Sequence, residues 1–154
     1  MQSSNRRMDT TLWRLRLAEL GQAAAVADGE AQAYVLRAAF SCLALMPPGL
    51  IADGARLPTR HRFEQLMIAK AWDSAALALV PPPLKFFVSR GERDLVLASV
   101  IFPGGEDDLV CEANTPAMAL VLGLTLALGG ALRAEDRYLH EGDRAGIPAG
   151  PWLH

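Results

Sequence analysis

The sequence predicts an α+β domain: a small three-stranded antiparallel meander over residues 84–113, with helices on both faces, a three-layer sandwich. Three observations predict it. Helical periodicity dominates residues 9–80 and is ended by Pro81-Pro82-Pro83. From Leu84 onward, short β-rich runs alternate with Gly- and Asp-containing turns. The middle run, residues 95–102, is apolar on both sides: Leu95, Leu97 and Ile101 on one, Val96, Val100 and Phe102 on the other. An antiparallel strand with one wet face alternates apolar and polar residues, so both faces of this one are expected to be covered, and helices are the available material.

The elements follow in order. Asp9 or Thr10 can cap a first helix through about Ala25, with Leu12, Trp13, Leu17 and Leu20 on one side. Asp28-Gly29-Glu30 opens a second, whose inward face is expected to carry Tyr34, Val35, Ala38, Ala39, Cys42 and Leu45, and which Pro47-Pro48-Gly49 ends. After a breaker-rich loop, a third helix is expected to begin behind Thr59 and run to Val80; the alternative is a break near Ala71, with Asp73 or Ser74 starting a separate short helix. Phe63, Leu66, Met67, Trp72, Ala76 and Leu79 form its stripe. Strands are expected at 84–90, 95–102 and 109–113, joined by Arg-Gly-Glu-Arg-Asp and Pro-Gly-Gly-Glu-Asp-Asp turns.

Residues 113–132 carry no charge and approach the length of a bilayer span. Thr115-Pro116 is a strong helix start, and Gly129-Gly130 an expected stop or, failing that, a weak point in the helix. The helix between them would run only ~20 Å, short of a hydrocarbon core, and no aromatic belt flanks it. A core helix buried in protein is therefore expected, not a membrane anchor. Residues 1–132 are expected to form the domain. Residues 133–154 are read as a tail, either disordered or docked on a neighbouring subunit through Trp152 and Leu153.

With 154 residues, 51% hydrophobic and 21% charged, the chain is large enough to bury a core. A net charge of -2 gives no overall drive toward nucleic acid or acidic lipid. Residues 1–90 hold 11 Lys/Arg against 7 Asp/Glu, whereas 91–154 hold 4 against 10, an asymmetry that reads first as two solvated faces that differ, the alternative being head-to-tail association or local steering. Cys42 and Cys111 stand far apart in apolar contexts, as free buried thiols of a reducing cytoplasm do. The arginines at 14 and 16 interrupt the place a signal peptide would need apolar, so a cytoplasmic protein is expected.

Two strings stand on either side of the strands: Trp72-Asp73-Ser74-Ala75-Ala76-Leu77 with Val80-Pro81, and Asn114-Thr115-Pro116-Ala117, with Pro103-Gly104-Gly105 between them. Together, and in this order, they resemble a family of small phage and prophage proteins with an α-β-α sandwich domain. The likeness spans about residues 15–132. It departs where Asp73 precedes Ser74 and where Pro-Pro-Pro-Leu-Lys-Phe leads into the first strand. The resemblance implies a layered fold and an accessory phage protein, and it implies no activity.

The chemistry-bearing residues are sparse. Arg56, Arg60, His61 and Arg62 concentrate positive charge at a helix start, and Arg90 and Arg93 flank the first hairpin; these six are the candidate contacts for a small anionic ligand such as a phosphate. No aromatics interleave with them for base stacking, so nucleic acid is not expected. His61 and Glu64 have the i, i+3 spacing of half a metal site without a second half. Glu106-Asp107-Asp108 lacks calcium-loop spacing, and no serine has a nucleophile-elbow setting. The sequence thus assigns no catalytic residue, metal or cofactor. It points to a non-enzymatic homo-oligomeric binding protein with a protein partner, such as a host regulator, a counter-defence factor or a virion-associated protein. The alternative is a phosphate or small-molecule binder, or an enzyme, built on the arginine cluster.

Overall fold

The computed structural model describes residues 9–51, 56–105 and 109–145, with side chains through Glu141. Among the described residues five helices and three strands follow one another: α1 (Thr10–Val26), α2 (Ala31–Ala44), α3 (Arg60–Ile68), α4 (Trp72–Leu79), β1 (Lys85–Arg90), β2 (Val96–Ile101), β3 (Cys111–Ala113) and α5 (Pro116–Ala145). The fold class is α+β, with an antiparallel meander in the order β1-β2-β3 and helices packed on it.

Local chemistry accounts for the helix ends. Asp9 caps α1 by accepting the Thr11 N–H at 3.2 Å, and Thr59 caps α3 by accepting that of Arg62 at 3.1 Å. The break between α3 and α4 falls at Lys70, whose φ of 55° is left-handed, while the Ala71 N–H returns to Leu66 O at 2.9 Å. Lys70 is held there by its ammonium, which donates to Glu30 Oε1 at 2.7 Å.

The layers are stacked differently from the sequence expectation. α5 is the middle layer: α1, α4 and α2 pack on one side of it and the sheet on the other. Ala98, Val100, Cys111 and Ala113 face α5 in the buried core. Among the described residues no helix packs on the outer face, where Leu97 and Ile101 are half-buried and Ser99, opposite Phe87, is buried. The second apolar face of β2 is therefore covered in part by the sheet's own side chains rather than by a helical layer.

α2 is rotated relative to its expected face. It buries Gln32, Val35, Leu36, Ala39, Cys42 and Leu43, and leaves Tyr34 and Leu45 exposed, because α1 and α4 both grip it and shift its buried stripe. Leu12 of α1 is likewise exposed, whereas Trp13, Leu17 and Leu20 are buried as expected.

Gly129-Gly130 does not stop α5, which runs 30 residues to Ala145. Each glycine costs a helix about 1 kcal/mol relative to alanine. Burial of Leu128 and Leu132 on either side offsets this, as does the salt bridge from Arg14 of α1 to Asp136 one turn beyond. Residues 133–145 are thus helix rather than tail, while Trp152, Leu153 and the acidic turn at 106–108 lie outside the described residues. The length argument against a membrane span falls with this correction: the helical stretch Pro116–Glu141 is long enough to cross one and contains an 18-residue window with a mean hydropathy of 1.8. What distinguishes the helix is its packing. Ala117, Met118, Ala119, Leu120, Val121, Leu124, Leu128 and Leu132 are all buried within the fold.

The two sequence strings that carry the family resemblance meet at the start of α5. Thr115 Oγ1 accepts the Met118 N–H at 3.2 Å and donates to Gln32 Oε1 at 2.7 Å, and Gln32 in turn donates to Gly29 O. Asn114 Nδ2 donates to the last carbonyls of α1, on Val26 and Ala27. Asp73 of α4 accepts the Ala117 N–H at 3.1 Å. One polar knot therefore joins α1, α2, α4 and α5, and these motif residues are architectural. Thr115→Val, which keeps the shape, is expected to cost about 2 kcal/mol in urea unfolding, from a lost cap and an unpaired buried amide oxygen on Gln32; Thr115→Ser should cost far less.

Candidate interaction surface

The six candidate anion contacts fall in two places. Arg60, His61 and Arg62 occupy successive positions of the first turn of α3, all exposed. Successive helical positions diverge by about 100°, so the three side chains fan outward from the turn. The Arg60 guanidinium lies 5.8 Å from the centre of the Phe40 ring, which itself stacks on Phe63 at 4.8 Å. Arg56 is exposed in the preceding loop with a left-handed φ of 46°. Arg90 ends β1 and Arg93 sits in the β1–β2 turn, on the sheet rather than on α3. Glu64, paired with His61 by spacing, is engaged instead by Arg37 of α2 through two bonds of 3.2 and 3.0 Å. That hydrogen-bonded guanidinium holds the Glu64 carboxyl below the usual range. The α2–α3 tie is therefore complete above the ordinary glutamate pKa and is lost as pH falls through the depressed one. Among the described residues no group of three or more His, Cys, Asp or Glu is placed to hold a metal ion.

The thiols are sequestered. Burial pushes Cys42 up to about 11, only partly opposed by Arg16, and burial also raises Cys111, whose Sγ lies 3.4 Å from the carbonyl oxygens of Ala98 and Ala119. Neither is expected to react with a thiol reagent at neutral pH faster than the chain unfolds, because thiolate is the reacting species. Labelling rates measured against urea concentration check this: they should follow global unfolding.

The exposed feature that the sequence reading did not single out is β1. All six residues of Lys-Phe-Phe-Val-Ser-Arg are exposed. Phe86 is 45%, Phe87 43% and Val88 37% accessible, although they form the first strand of the sheet. α5 packs chiefly on β2 and β3 and barely reaches β1. Phe86 and Val88 lie on the side of α5, opposite Val100 and Ala98, whereas Phe87 lies on the outer face opposite Ser99. Among the described residues β2 alone pairs with the strand, which leaves its other backbone edge free. The signal was present in the sequence: the first strand of a three-stranded meander is always an edge, and this one carries three consecutive large apolar residues. Natural edges of that kind are usually covered or blunted.

No protein-family model, curated protein or solved structure matches this chain.

Proposed function

We propose that this chain is a non-catalytic accessory binding protein of phage or prophage origin, acting in the cytoplasm of a bacterial host. The ordered pair of strings around the meander supports the origin. The binding role is carried by one observation: β1 offers Phe86, Phe87 and Val88 to solvent on a strand whose outer edge has no partner among the described residues. An extended apolar edge of this type recruits another chain by strand addition, with backbone bonds supplying affinity and alternate side chains supplying selectivity. The sheet's outer face, with Phe87 beside half-buried Leu97 and Ile101, extends the same surface.

Affinity capture from bacterial lysate with the wild type and with Phe87→Asp tests the reading. Phe87 is on the outer face, away from α5, so the substitution spares the core. A protein retained by the wild type and lost by the variant supports binding through the sheet. Identical profiles for the two would overturn it.

A further inference from the structure

We propose that the free edge of β1 pairs with β1 of a second copy, antiparallel about a twofold axis at Val88, joining two three-stranded sheets into one of six. The inference rests on the reading of the sheet as the interaction surface and names what occupies its edge.

The backbone narrows the register, and the side chains select within it. In the first hairpin the Gly91 N–H donates to Leu95 O at 2.7 Å. Antiparallel partners alternate between bonded and non-bonded pairs. From this bond and the β1–β2 register, Ser89, Phe87 and Lys85 direct their backbone groups toward β2. Phe86, Val88 and Arg90 then direct their N–H and C=O groups outward. A second β1 must set outward residues against outward residues. With the axis at Val88, Val88 faces Val88 of the second copy and Phe86 faces its Arg90, so all three outward residues exchange both of their bonds. With the axis at Phe87, Arg90 would face Leu84, whose N–H is already taken by Pro81 O at 3.0 Å.

The side chains agree with that register. On the inner face each Phe86 lies across from an Arg90 guanidinium, a favourable cation–aromatic pairing made twice, and the two valines meet on the axis. On the outer face each Phe87 lies across from the small Ser89. No like charges are opposed. The arrangement that would set Lys85 against Arg90 is forbidden, because it matches an inward residue with an outward one. There is also room: α5 covers β2 and β3 and leaves Phe86 and Val88 accessible on its own side of the sheet, where the second copy's helices would arrive. The same pairing merges two outer faces into one wider surface around Phe87, Leu97 and Ile101.

The test is native mass spectrometry over a concentration series, on the full chain and on Phe86→Lys, Phe86→Lys/Arg90→Glu and Val88→Pro. The wild type is expected to be a dimer. Phe86→Lys sets lysine against Arg90 at two places and should weaken dimerisation on the order of a hundredfold. Adding Arg90→Glu turns both repulsions into attractions and should restore the dimer. Val88→Pro removes an outward N–H and none that faces β2, so it should give monomers with unchanged helical circular dichroism. If that variant fails to fold, the charge pair still decides. A monomeric wild type, an unaffected Phe86→Lys dimer, or a double variant without recovery would each overturn the pairing. A monomer that still captures a lysate protein in a Phe87-dependent way overturns the pairing alone. A monomer that captures nothing ends the binding reading as well.

Discussion

Trp13→Ala is expected to cost about 3–5 kcal/mol of stability, the range for emptying a large aromatic from a core. Trp13 has no accessible surface, and its Nε1 donates to Cys42 O at 2.8 Å. That carbonyl belongs to the last turn of α2, where it also receives the Leu45 N–H at 3.2 Å. The indole thus fills the space between α1 and α2 and caps the second helix at once. Trp13→Phe separates the two roles: it keeps much of the volume and should lose about 1 kcal/mol for the bond, together with a smaller packing loss. Against a typical total of about 5–15 kcal/mol, the alanine variant should be largely unfolded at modest urea. Urea titrations of the three proteins, followed by circular dichroism, give the comparison.

The second large effect is expected at Gly123. At this glycine α5 packs closely on the sheet: a Cβ there would stand 3.1 Å from Val100 Cγ2 and 3.6 Å from Cys111 Sγ. Gly123→Leu should push β2 away from α5 and cost about 3 kcal/mol, the upper part of the range for overpacking. Gly130→Leu is the matched control, since a Cβ at Gly130 meets nothing within 4 Å. Any intrinsic helix gain is similar at the two sites, about 0.5–1 kcal/mol, so the difference between them isolates the sheet contact. Equal melting temperatures would mean that α5 does not lie against β2 as described.

Much of the fold was legible. The strands fall within two residues of the sequence expectation, whereas the helix expected from Thr59 to Val80 is two, the alternative break near Ala71 being the one observed, with α4 beginning at Trp72 rather than at Asp73 or Ser74. Elements end where local chemistry dictates, and local chemistry is readable: Thr59 and Thr115 cap, the three prolines terminate, and Gly104 turns with φ of 75°. The passage of α5 through Gly129-Gly130 was not readable, because it rests on tertiary contacts: the burial of Leu128 and Leu132 and, with it, Arg14 meeting Asp136 across 122 positions. Nor was the rotation of α2, which its two neighbours impose. The doubly apolar β2 indicated cover on both faces but could not say what supplied it. The same holds for the site. The arginines at the start of α3 stand out as letters, yet they fan apart in space. β1 became conspicuous only once α5 was seen to reach it least.

Residue-resolved amide hydrogen exchange at low and high protein concentration tests the central claim, that the free edge of β1 is the surface through which this chain associates. The Phe87 and Ser89 amides point toward β2 and should be protected at both concentrations. Those of Phe86, Val88 and Arg90 point outward and should exchange quickly in dilute protein and slowly in concentrated protein. Protection that alternates along the strand and appears with concentration is the predicted result. Fast exchange at Phe86, Val88 and Arg90 at every concentration would contradict it.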